Sequence, residues 1–158
     1  MVFQIGDKAI HLTHGLGEIV DIETKTVHNH YVSCYVFQTP FLSVWIPVKT
    51  KDRNSLRAPK SKSEFEDICS DLESPNDPLP GNILIRKKQL LEILKDGQLI
   101  SICRVIRDLS DYSKEITLSD IDKSILDRAI KSLLVEWVFS LSVPLPQAQK
   151  EMAAMLSS

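Results

Sequence analysis

The sequence is short of the residue groupings from which catalytic and metal sites are assembled. Its five glycines form no phosphate-cradling loop, and no Ser-His-Asp set or spaced acid pair occurs along the 158 residues. Cysteine is scarce too: Cys34, Cys69 and Cys103 lie far apart in apolar, periodic surroundings rather than in Cys-x-x-Cys pairs. That pattern points to reduced core thiols in the cytosol and makes a redox or zinc role a subordinate reading. No apolar run approaches the length of a membrane span, and Met1-Val-Phe-Gln4 has neither the basic start nor the apolar middle of a signal peptide, so a cytoplasmic location is expected. Nor does one charge predominate. With 19 Lys+Arg against 21 Asp+Glu the formal net charge is −2, so any contact with nucleic acid must come from a local patch. What remains, at 43% apolar and 25% charged residues, is the composition of an ordinary globular protein of one medium domain or two small ones. A binding protein without catalytic residues or cofactor is expected.

Histidine offers one metal candidate, His11-x-x-His14, but on a strand followed by a turn these positions meet no Cys or carboxylate pair, so a structural role is the preferred reading. His28 and His30 fall in the polar stretch Thr26-Val-His-Asn-His30, a natural hairpin loop, and read as solvated.

The first third carries the β signals. Gly6-Asp7 and Gly15 to Gly17 are turns separating short extended segments marked by Ala9, His11, Leu16, Ile19 and Ile22. Tyr31 to Phe37 is rich in β-branched and aromatic residues, Thr39-Pro40 interrupts it, and Leu42 to Ile46 resumes before Pro47 ends the ladder. Four or five short antiparallel strands predict an SH3-like or Tudor-like barrel whose interior is filled by side chains, which leaves its rim or edge strand for function.

Beyond Pro47 the composition changes. Lys49 to Arg57 is polar and charged and reads as a linker, with Ser55-Leu56-Arg57 as a last edge strand. Ser63 with Glu66 has capping-box spacing and opens a predicted short helix to Leu72. The prolines of Pro75 to Gly81 exclude helix. Asn82 caps a second helix with a stripe at Leu84, Leu90, Leu91 and Leu94, stopped by Asp96-Gly97. Gln98 to Leu109 repeats the pattern, with Leu99, Ile102, Cys103, Ile106 and Leu109 on one face and Arg104, Arg107 and Asp108 on the other. A long helix begins at Ser119 or Asp120 and ends before Pro144, and a short one follows through Met152 and Met155. The expected fold is therefore α+β: an N-terminal barrel over residues 1–57 and an all-α bundle over 58–158. A monomer is the simplest reading, with Val135, Trp137 and Val138 as the face a dimer would use.

Phe3-x-x-Gly6-Asp7, His14-Gly15, Ile22-Glu23-Thr24 and the strand ending at Ile46-Pro47 together resemble the N-terminal module shared by the CarD/CdnL bacterial transcription regulators and the transcription-repair coupling factor. Asp96-Gly97, Val105-Ile106-Arg107-Asp108-Leu109, Thr117-Leu118-Ser119, Leu126-x-x-Ala129 and Leu133-x-x-Glu136 resemble the CarD/CdnL C-terminal domain, in the family's order. The resemblance implies a Tudor-like domain docking on the RNA polymerase β subunit and a helical domain touching upstream promoter DNA, without sequence specificity, in the minor groove, so as to tune the open complex. The positions matching the family's polymerase contacts are Lys25 and Trp45. Lys25 keeps charge without the bidentate fork, Trp45 offers aromatic surface, and alternation with Val44 and Ile46 places it on the outer face. The position matching the family's wedging tryptophan is Ile83, an apolar side chain of a kind that also wedges between base steps, so a weak or altered DNA contact is expected. Arg86, Lys87 and Lys88 form the best basic cluster, and Arg104 is a further candidate. Arg107 has the alternative of pairing with a carboxylate inside the bundle. An alternative reading keeps the polymerase contact as an adaptor and dispenses with DNA.

Overall fold

A computed structural model describes residues 2–49 and 55–157. The chain falls into two compact units, Met1–Pro59 and Lys60–Ser158. The first holds strands β1 (Lys8–His11), β2 (Gly15–Val27), β3 (His30–Gln38), β4 (Ser43–Pro47) and β5 (Leu56–Arg57) in one antiparallel sheet of order β4-β3-β2-β1-β5. This is the Tudor-like architecture read from the turns and alternation. Most of the linker expected before β5 lies in residues 50–54, outside the described residues.

Alternation builds the barrel core from Phe3, Ala9, Ile19, Tyr35, Phe37, Ile46 and Leu56. The Tyr35 hydroxyl accepts the Phe3 amide at 3.0 Å, tying the N-terminal segment to β3. β2 and β3 are joined at His28 and Asn29, whose φ values of 50° and 63° are both left-handed, as the two central residues of a type I′ hairpin require. A bulge between Ile19 and Asp21 shifts the β2–β3 register, which bends the long hairpin. Gly17 is fixed by close approach: a Cβ there would stand 2.5 Å from both the Gln38 carbonyl oxygen and the Phe37 ring.

His11 and His14 stack with ring centroids 4.7 Å apart, and His11 also lies against Phe37. The His11 Nδ1 accepts the amides of Thr13 and His14 at 3.0 and 3.1 Å, so this nitrogen already serves the turn.

The second unit contains α1 (Lys62–Cys69), a 3-10 turn (Ser70–Glu73), α2 (Ile83–Leu94), α3 (Leu99–Ser113), α4 (Asp120–Leu141) and α5 (Leu145–Ser157). α1 starts two residues before the expected place. Ser61 rather than Ser63 is the cap, in a reciprocal box with Glu64. The overlapping Ser-x-x-Glu spacings are decided by tertiary bonds: the Lys60 amide donates to Glu136 at 2.9 Å and the Ser140 hydroxyl donates to the Lys60 carbonyl at 2.8 Å. At α4, Ser119 and Asp122 form the second capping box, and Ser142 closes the helix at φ 53°.

α3 runs through the core. Leu99, Cys103, Val105, Ile106 and Leu109 are fully buried. Contrary to the one-sided amphipathic pattern, Arg107 and Asp108 are buried too. Arg107 donates to Asp108 at 3.0 Å, to Asp71 at 3.1 Å and to Asp77 at 3.2 Å. It thereby ties the 3-10 turn and the proline-rich loop to α3. α4 adds Ile125, Ala129, Leu133, Leu134 and Trp137, with Trp137 edge-on to Phe65 at 5.4 Å. Trp137 is thus core, and of the suggested dimer face Val135 is about half exposed while Val138 is partly buried. Cys69 and Cys103 meet in this core with sulfurs 4.0 Å apart, and all three cysteines are free thiols. The hydrogen bond to Cys103, followed by burial, pushes the Cys69 thiol far up, away from the reactive thiolate. No single helix among the described residues is long and apolar enough to cross a membrane.

Candidate interaction surfaces

On the first unit, β3 lies between β2 and β4, and the pairings Glu23 with Cys34, Lys25 with Val32, and Val36 with Trp45 put these side chains on one outer face. Trp45 is 45% exposed. Its indole nitrogen donates to Glu23 Oε2 at 2.7 Å, which brings β4 and β2 together across β3. Lys25 Nζ lies 4.6 Å from the Trp45 ring centroid and 3.7 Å from the same carboxylate oxygen. The expected pair Lys25 and Trp45 is therefore joined into a trio by Glu23, a residue that sequence reasoning passed over because its partner lies two strands away. Cys34 and Val36 beneath are nearly fully buried although they face away from the barrel core. β4 pairs only with β3 among the described residues, so its other edge is open.

On the second unit, the proline-rich loop delivers Asn82, whose side chain accepts the amides of Leu84 and Ile85 at 3.0 Å each and starts α2. Ile83, Leu84 and Ile85 are 44%, 70% and 58% exposed, three consecutive apolar side chains turned out of the core at a helix start. Lys87 and Lys88 follow, both exposed and without a partner among the described residues. The expected helical stripe is corrected: Leu84 and Leu91 face out, while Leu90 is buried and Ile93 and Leu94 pack on the core.

Arg86 does not belong to the exposed basic cluster in which it was expected. It is 3% exposed. Its Nε and Nη2 grip Asp122 Oδ1 and Oδ2 at 2.9 and 2.7 Å, and Nη1 donates to the carbonyls of Pro80 and Gly81 at 2.9 and 3.2 Å. Nη1 also lies 3.3 Å from the Tyr112 hydroxyl, with the guanidinium over that ring at 4.8 Å. The helical period explains it, because Arg86 is one turn from buried Leu90. The same grip, together with the Ser119 hydrogen bonds, holds the Asp122 carboxyl below its ordinary range. Arg104 is half exposed and stands 3.9 Å from Asp77. Of the cations expected to meet DNA, Lys87 and Lys88 on α2, next to Ile83, are the ones left open among the described residues.

The first unit thus turns Trp45 outward on a Tudor-like sheet, and the second turns an apolar helix start followed by two lysines to solvent. Two family descriptions match the chain: the CarD-like/TRCF RID domain over residues 3–58 and the CarD, C-terminal domain over residues 67–153. The class is that of transcription-related proteins that interact with RNA polymerase. The chain belongs to the CarD family, whose members are non-enzymatic transcription factors.

Proposed function

We propose that the N-terminal unit docks on the β subunit of RNA polymerase through the outer face carrying Lys25 and Trp45 and through the open edge of β4, while the start of α2 touches upstream promoter DNA and tunes the open complex without catalysis. An open strand edge supplies the main-chain groups for strand addition, and an exposed aromatic supplies the anchor. The observation that carries the DNA half is the exposed Ile83-Leu84-Ile85 crest followed at once by the unpaired Lys87 and Lys88. Apolar side chains insert at unstacked steps of the minor groove while cations hold the phosphates. The protein acts as a monomer on this reading, in the bacterial cytoplasm.

The adaptor reading, in which polymerase binding persists without DNA contact, is favoured by one observation: Arg86 and Arg107 are spent inside the bundle and not offered to phosphate. One experiment separates the two. The full chain with RNA polymerase is titrated onto a forked promoter fragment, wild type against Lys87→Glu/Lys88→Glu. DNA contact predicts a weaker complex for the variant and a log–log salt slope smaller by roughly 1 to 2. An unchanged affinity and slope would leave the adaptor.

A further inference from the structure

We infer that Glu23 is the positioning residue for Trp45, holding the indole ready for a partner to bury. The inference rests on the docking reading above and names the residue that prepares that site.

The geometry holds the indole at two places. Its edge is fixed by the 2.7 Å hydrogen bond from Nε1 to Glu23 Oε2, and its face is covered by Lys25 Nζ at 4.6 Å from the centroid. Nearly half the side chain still faces solvent, so there is ring left for a partner to bury. A tryptophan free on a strand surface must be ordered when it binds, and fixing it beforehand removes that cost, which amounts to several-fold in affinity.

The charges around the trio are of both signs. Lys25 and Glu23 lie 3.7 Å apart, Glu18 pairs with Lys8 at 3.2 Å, Asp21 lies further along β2, and the β3–β4 register carries the exposed Lys49 opposite Val32. The exposed indole is the apolar feature that Glu23 holds among them.

The test uses the full chain and a purified polymerase β lobe, with wild type, Glu23→Ala, Glu23→Gln, Trp45→Ala and the Glu23→Ala/Trp45→Ala double variant, each checked for folding by circular dichroism. Trp45→Ala should weaken binding by roughly 30-fold or more, as truncation of an anchor does. Glu23→Ala should weaken it by roughly 3- to 10-fold, and add nothing in the Trp45→Ala background, the signature of a residue acting through another. Glu23→Gln should bind nearly as wild type, since its amide oxygen still accepts the indole proton. In the free protein, the Trp45 indole 1H–15N resonance should move in Glu23→Ala and largely return in Glu23→Gln. Wild-type affinity for Glu23→Ala or additive single effects would overturn this inference while leaving docking intact. Failure of the folded wild type to bind the lobe would overturn the docking reading itself, and this inference with it.

Discussion

Replacing Asp122 by asparagine removes one charge and almost no volume, and the structure says what that costs. The carboxylate is fully buried and receives two parallel bonds from Arg86, at 2.9 and 2.7 Å. Without it the guanidinium stays buried with its charge uncompensated, and an amide NH2 must face guanidinium N–H groups. Breaking a buried pair in this way costs roughly 3–5 kcal/mol. Asp122 also accepts the Ser119 amide and hydroxyl in the capping box of α4, so Ser119→Ala, which touches the cap alone and costs about 1 kcal/mol, is the calibrating variant. Urea unfolding of the full chain, followed by far-ultraviolet circular dichroism, reports the helical unit. pH supplies a second axis. Arg86, foremost, depresses the Asp122 pKa below the ordinary 3.8. A carboxyl depressed in the folded state contributes stability that is complete above its unfolded pKa and is lost as pH falls through the folded value. That contribution should therefore be present at neutral pH, fade below about 4, and be missing from Asp122→Asn. An Asp122→Asn variant no less stable than Ser119→Ala would refute the reasoning.

Gly17→Ala should destabilise the barrel by roughly 1–3 kcal/mol, the cost of overpacking, because its Cβ would stand 2.5 Å from the Gln38 carbonyl oxygen; thermal unfolding of the barrel checks this, and an unchanged midpoint would show that β2 and β3 separate freely. His11 titrates below the ordinary 6.5, through burial first and the nearby His14 second. The unfolded chain then binds the proton more readily, so barrel stability should be complete above pH 6.5 and fall as the pH drops towards the folded value. His11→Gln should flatten that part of the profile in a urea titration at several pH values. Cys69→Ala should cost roughly 2 kcal/mol, as small core truncations do, without changing polymerase binding, since its thiol lies in the helical core; loss of binding in the folded variant would assign the thiol another role.

Local chemistry made most of the fold readable. The hairpin at His28-Asn29, the Asn82 and Ser119 caps and the proline block each depend on a few neighbouring residues, and each lies where the sequence put it. The errors arose where the deciding partner is distant. Ser61 displaced Ser63 because Lys60 is held from α4. Arg86 stands beside two exposed lysines and adjacency groups it with them, although its period with Leu90 points inward and its partner Asp122 lies 36 positions away. Arg107 was legible only as an alternative, because three carboxylates from separate segments converge on it. At the barrel face, strand alternation sufficed to turn Trp45 outward, but the hand that holds it, Glu23, depends on the sheet order β4-β3-β2.

The bonds at Lys60 bear on how the protein is cut into pieces. The polar stretch before β5 invites a boundary there, and the apparent cap at Ser63 invites a helical fragment that begins at that residue. Such a fragment would discard the backbone pair that Glu136 and Ser140 grip from 76 and 80 positions further on, along with the true cap. α1 would begin unanchored, and Phe65, which it delivers against Trp137, would lose its footing. A faithful excision of the helical unit has to retain Lys60, peptide group included, so the seam of this protein is drawn by its second half reaching back to its own first residue.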